Sequence, residues 1–358
     1  MRILGYFVAA SLGLGCRAES GLRVERIGND KAEPFAIVGG DVLADNGTQV
    51  ERLRSDGTVR WRSNARGMWA RAHGGPASIF VVAKSESVDK APLLEVELPT
   101  GLSKTRCWVW PHVTSGAWFQ VGNALVVSSG GGTIERIDPD AGVDLWSEPA
   151  DGTPLDRHTQ NEFWVSGANK VRAFAIADGS MREMDSGMWA SITPDGRTLV
   201  TDFGADIAAF DTQSLQRTWT YKGQPNTVIG SVATSDRWIA VLVVSKTSGG
   251  GQTVRILQRA DGKPVWSHRS KTDQFLGYVA AGGDLVAYYD SKDTSLHAVH
   301  LPDGKTGAVY RFDSGLAIGT ERVGIAPAVP EKPPLIDGDI MIVYDAPIRR
   351  AYRVRPRN

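Results

Sequence analysis

Three short clusters hold the residue types from which chemistry could be built. Asp156-Arg157-His158 sets an acid, a permanent cation and an imidazole side by side, the components of proton transfer near neutral pH. A solvated loop has the same composition. Asp138, Asp140 and Asp144 around Gly142 read D-x-D-x-G-x-D, a spacing of oxygen donors that suits Ca²⁺. A tight turn asks for the same Asp, Pro and Gly, so no metal is assigned. Cys107 lies in the alternating run TRCWVW and is read as a small buried residue, because a nucleophilic thiol needs a base that the sequence does not place. His-x-x-x-His, adjacent cysteines and a nucleophile elbow do not occur, and the Gly-rich stretch at 128–132 is not followed by Lys or a helix. No catalytic residue and no cofactor is therefore assigned, and the chain reads more as a binding protein than as an enzyme.

The elements that must position these residues come from a repeat. The phrase VERLRSDGTVRW (Val50 to Trp61) returns as IERIDPDAGVDLW (Ile134 to Trp146), IAAFDTQSLQRTW (Ile207 to Trp219) and VRILQRADGKPVW (Val254 to Trp266). Copies without the Trp end at Gly101, Gly179 and Gly304. The turn positions Gly57, Gly101, Gly142, Gly179, Leu215, Gly262 and Gly304 are spaced about 41 residues apart. Apolar positions alternate with period two, and the runs are separated by Gly, Asn and Asp, so the unit is a four-stranded antiparallel blade, not a helical pair. A second phrase, Gly-Met-Trp-Ala, opens units at Gly67 and Gly187.

Dividing the chain after its leader by this period gives eight blades, with seven as the fallback. The stretch from Pro334 to Pro356 supplies three strands, and the run from Gly21 to Gly28 supplies the missing fourth. The expected fold is all-β: an eight-bladed β-propeller over residues 21–358, its ring closed by the N- and C-terminal strands, which leaves no blade unfinished.

The leader is an apolar run after Met1-Arg2 that stops at Cys16. This is the form of a secretory signal, and the Cys makes residues 1–16 similar to a lipoprotein signal whose Cys is lipidated. Gly15 fits that pattern, whereas Gly13 stands where Leu is preferred. Cleavage by an ordinary signal peptidase and an uncleaved start are the alternatives. Forty basic and forty acidic residues cancel, which argues against nucleic acid as a partner. Arg349, Arg350, Arg353, Arg355 and Arg357 crowd the C-terminus, as a solvated edge or a contact for an acidic partner.

The alternating run, Asp-Gly or Thr-Gly turn and Trp four residues later resemble the repeat of the pyrroloquinoline-quinone-like propellers. With the leader, the chain resembles the propeller lipoprotein of the outer-membrane β-barrel assembly machinery. That resemblance implies that Trp61, Trp146, Trp219 and Trp266 dock each blade on the next and are not ligand platforms. It also implies that ligands gather at a funnel mouth formed by the blade-to-blade connections, from which Arg66, His112, Arg157 and His158 are the candidate binding residues. The adjacent cysteines of quinone-dependent dehydrogenases are missing, so a quinone oxidoreductase is not expected. The segment around Ser191 is closer to the units of YVTN-type surface propellers. The functional expectation is a non-enzymatic scaffold of the bacterial cell envelope, anchored by lipid to the outer membrane and contacting other envelope proteins. The alternative is a secreted or periplasmic propeller that binds a small ligand, or acts as an enzyme, in its central funnel.

Overall fold

The computed structural model describes residues 22–28, 32–72, 77–83, 90–109, 117–122, 124–129, 132–247, 251–270, 276–290, 295–301, 308–313, 335–345 and 348–356. They form eight sheets and no helix, antiparallel throughout except that the two-residue strand Arg71–Ala72 adds in parallel to Ala117–Val121, the inner strand of the third blade. The chain is an eight-bladed β-propeller. Blades 1 to 7 span residues 33–63, 67–109, 117–149, 153–185, 190–221, 227–269 and 276–313, each running from an inner to an outer strand. Blade 8 takes its three inner strands from Leu335–Asp337, Ile340–Asp345 and Ile348–Pro356, and its outer strand from Leu22–Ile27. Leu22 pairs with Pro356 and Ile27 with Ala351, so the two ends of the chain are joined through one sheet. The ring thus closes through hydrogen bonds and leaves no incomplete blade at its seam.

Second strands read as unbroken apolar runs because both of their faces are covered. Trp238–Ser245 (WIAVLVVS) and Ala124–Ser129 (ALVVSS) are buried on either side by the neighbouring blades. Fourth strands, at the rim, are more open: Asp144–Pro149 and Pro264–Arg269 mix exposed with half-buried residues, and none of their side chains is fully buried. The core is accordingly divided into eight apolar clusters, one per seam, from that of blades 1 and 2 (Val50, Trp61, Val81, Val96) to that of blades 8 and 1 (Ile342, Ala351, Val42, Leu53).

All four Trp-bearing blades share a register shift that sequence periodicity does not show. The third and fourth strands slip by one residue just before each Trp: at Arg52/Leu53, Arg136/Ile137, Ala209/Phe210 and Ile256/Leu257. A bulge of this kind turns the strand and re-aims the side chain that follows it. Three of the indoles then donate to a carbonyl of the next blade: Trp61 to Leu98, Trp146 to Ile176 at 3.0 Å and Trp219 to Arg259 at 2.8 Å. Each acceptor stands three residues before the turn glycine whose face the ring covers, Gly101, Gly179 and Gly262. Trp266 meets blade 7 differently, with its ring centroid 6.0 Å from that of Tyr288. Leu215 occupies the turn position filled elsewhere by Gly and still adopts φ of 55°.

One segment departs from the expected layout. Residues 149–158 read as an irregular connection between blades, but Thr153–Pro154 is the inner strand of blade 4. The chain continues along that strand, with Leu155 N donating to Trp164 O at 3.0 Å. Pro154 and the polar neighbours hide the alternation on which strand assignment depends.

Candidate functional site at the mouths of the ring

In a four-stranded meander the first and third turns share one face, and the second loops share the other with the blade-to-blade connections. The Gly-Met-Trp-Ala phrases lie on the connection face, at the start of inner strands. Their glycines are required by close approach: a Cβ on Gly67 would sit 2.0 Å from Val82 O, and one on Gly187 would sit 2.1 Å from Asp202 Oδ2. Asp202, in the second strand of blade 5, is buried and accepts from Trp189 N at 2.7 Å. Burial pushes its carboxyl above the ordinary carboxylate range, against backbone donors that include Trp189, Gly204 and Met188. This cradle fixes the backbone while the Met188 side chain stays 75% exposed at the mouth. Trp69, in the matching phrase, packs instead on Phe35 of blade 1, with ring centroids 5.3 Å apart.

Arg66 lies on this face too. Its guanidinium reaches Asp45 Oδ2 at 3.3 Å, and both groups are solvated, so the pair contributes little to stability. His112 and Cys16 lie outside the described residues.

Arg157 and His158 lie on the channel wall toward the opposite, turn-side mouth. His158 Nδ1 accepts from Trp164 N at 3.0 Å, which puts the ring proton on Nε2. Its ring stacks on Phe163, with centroids 4.2 Å apart, and meets the edge of Phe119. Packing and tautomer both assign this imidazole to the wall. Arg157 instead reaches past blade 5: its Nη1 donates at 2.6 Å to Thr234 O, at the end of the inner strand of blade 6. Burial draws its pKa below the usual guanidinium value, countered by the fields of Asp156, Asp337 and Asp236. Asp337, on blade 8, is raised by burial, with Arg157 opposing and Asp236 adding to the rise. Of the three residues 156–158, the fold separates what the sequence placed together: Asp156 is solvated beside Arg71 at 3.9 Å, Arg157 is bonded to blade 6, and His158 is stacked on Phe163.

The remaining candidates resolve into turn and rim chemistry. Asp138 Oδ1 accepts from the backbone N of Asp140 and Ala141, and Asp140 pairs with Arg106, so these carboxylates hold their own turn. Among the described residues no three His, Cys, Asp or Glu side chains gather as metal ligands. Cys107 is buried, and burial, then Asp138 and Asp140, push its thiol pKa up, away from the thiolate. Arg353 and Arg355 both donate to Asp339 Oδ2, at 2.7 and 2.8 Å. On the rim, the outer strands of blades 2 and 3 expose Trp108 and Leu145.

No protein-family model matches the chain, and no curated protein sequence does. Solved structures match it in shape. BamB from Moraxella catarrhalis superposes with a TM-score of 0.56 at 14% identity, over 93% of this chain and 99% of that one. The C-terminal WD40 domain of Sif2 gives 0.58 at 10% identity, over 93% and 99%. The computationally designed Ika8 protein gives 0.56 at 13%, over 92% and 98%. At these identities the likeness establishes the propeller fold, which many unrelated functions share.

Proposed function

We propose that the chain is a non-enzymatic scaffold of the bacterial cell envelope, held to the outer membrane by lipid on Cys16 and presenting its connection face to other envelope proteins in outer-membrane assembly. The observation that carries this reading is Met188. An exposed, polarisable apolar side chain on a backbone pinned by a buried carboxylate is a preorganised contact for a protein surface, because little entropy is lost when it docks. Exposed Trp108 and Leu145 on the rim and the shape shared with BamB support the same reading.

The test is a photo-crosslinking residue placed at Met188 in cells, with a control at Gln213 on the turn-side face. The expected result is an adduct with an envelope protein from position 188 and none from 213, together with an acylated N-terminal Cys16 in the mass spectrum. Equal adducts from both faces, or none, would defeat the docking part. Soluble, unacylated protein indistinguishable from Cys16→Ala would defeat the anchoring part.

A further inference from the structure

The turn-side face carries a cleft of about 1420 Å³ over blade 4, lined by the first turns of blades 3, 4 and 5 and the third turns of blades 4 and 5. That is more than the roughly 300–1,000 Å³ common for single small ligands. Most of its charges hold the seams. Arg182 takes both oxygens of Glu162, at 2.6 and 2.8 Å, and donates to Gln213 O of blade 5 at 2.7 Å. Arg136 of blade 3 donates to Ile176 O and Ala177 O of blade 4, at 2.7 and 3.1 Å. Asp195 pairs with Arg259 at 2.6 Å, and Asp211 caps its own turn through Gln213 N and Ser214 N. Gln160, Asn161, Arg197 and Gln213 differ: they are exposed in the cleft, and their side chains have no hydrogen bond or ion pair among the described residues. Three of them stand on fixed backbone. Asn161 O accepts from Ile176 N at 2.8 Å, Arg197 O accepts from Thr212 N at 3.0 Å, and Gln213 O is held by Arg182.

Three primary amides, each both donor and acceptor, match a ligand rich in hydroxyls, which also donate and accept. The charges leave one cation over: Arg136, Arg182, Arg197 and Arg259 stand against Glu162, Asp195 and Asp211, and Arg197 has no acidic partner among the described residues. A protein segment fits poorly. No large apolar side chain is exposed in the cleft to anchor it, and the walls are turns and strand ends, whereas strand addition needs a free length of edge. Nucleic acid needs several free cations for its phosphates, and the cleft has one. We propose that this cleft binds an oligosaccharide that contains uronic acid, its hydroxyls bonded by the amides of Gln160, Asn161 and Gln213 and one carboxylate taken by Arg197. Arg is suited to that contact because its planar fork binds a carboxylate through two parallel hydrogen bonds. The site lies on the face opposite Met188 and does not depend on the scaffold reading. A saccharide occupant also leaves in place the expected absence of a protein adduct at Gln213.

The experiment titrates the full chain with tetragalacturonate by saturation-transfer NMR, with maltotetraose as a neutral saccharide and tetraglutamate as an acidic peptide. Saturable tetragalacturonate binding is expected, with maltotetraose about tenfold weaker and tetraglutamate not saturable. Arg197→Gln alters an exposed side chain that has no partner within the described fold. It is expected to weaken tetragalacturonate by about tenfold, to the level of maltotetraose, as loss of one charge-assisted contact does. Asn161→Ala combined with Gln213→Ala is expected to weaken both saccharides. Circular dichroism melts of the variants check that the ring is intact. Absence of saturable tetragalacturonate binding to folded wild type would overturn the proposal. So would undiminished binding in either variant, or maltotetraose or tetraglutamate binding as tightly as tetragalacturonate. The crosslinking result at Met188 is unaffected by any of these outcomes.

Discussion

Replacing Gly262 with Ala tests how the blades are joined. Gly262 has φ of 71°, where an L-residue costs about 1–2 kcal/mol, offset by about 0.4–1 kcal/mol because Ala also restricts the unfolded chain. A Cβ there would stand 2.5 Å from Cε3 of Trp219, and the ring cannot retreat without leaving its seat. Displacing it gives up the indole bond to Arg259 O, worth about 1 kcal/mol net, and strains the seam by about 1–3 kcal/mol. The expected total is about 3–5 kcal/mol. Gly40→Ala is the control: its φ is 75°, but nothing lies within 4 Å of the added Cβ, so it should cost only about 1 kcal/mol. Urea denaturation, read as midpoint shifts at constant m, measures both. In a Trp219→Ala background the Gly262→Ala cost should fall to that of Gly40→Ala, giving a coupling of about 2–4 kcal/mol between residues 219 and 262. Equal costs for the two glycines, or an undiminished Gly262 cost without the indole, would refute the account of the seam.

Two further outcomes follow from buried ionisable groups. The folded pKa of Asp202 is raised, so the folded state holds this proton more tightly than the unfolded state does; the group therefore costs stability above its folded pKa, and the cost disappears as pH falls through that value to the unfolded one. Asp202→Asn keeps the acceptor for Trp189 N and should gain on wild type at neutral pH, the gain shrinking on acidification; a pH-independent difference in urea midpoint would contradict this. In a Cys16→Ala variant, Cys107 should react with a disulfide reagent only at the rate of unfolding, since its thiol is both buried and held protonated. Rapid labelling in buffer would show that the seam between blades 2 and 3 opens locally.

The sequence by itself determined the blade, the number of blades and the way the ring closes. Period-two alternation can bury apolar faces only in sheets, Gly and Asp mark the turns, and a chain that begins with one strand and ends with three has one way to complete a four-stranded sheet. Local chemistry was equally legible: the turn glycines have positive φ because those turns require it, and Leu215 pays for its place in the same conformation. The tertiary structure decided where neighbouring residues end up relative to the axis. Asp156, Arg157 and His158 are consecutive, yet one is solvated, one reaches blade 6 and one is packed on Phe163, because the chain has left its inner strand at Pro154 and each residue of the turn meets a different neighbour in the assembled ring. Arg157 meets Thr234 O of blade 6 only because the ring brings the ends of inner strands together, and no spacing along the chain encodes that contact. Met188 was visible as part of a repeated phrase; its exposure, and the seating of the adjoining Trp189 backbone on buried Asp202, came only with the fold. Sequence encodes contacts of short range and fixed period, while the bond from Arg157 on blade 4 to blade 6 exists only once the blades are arranged in the ring.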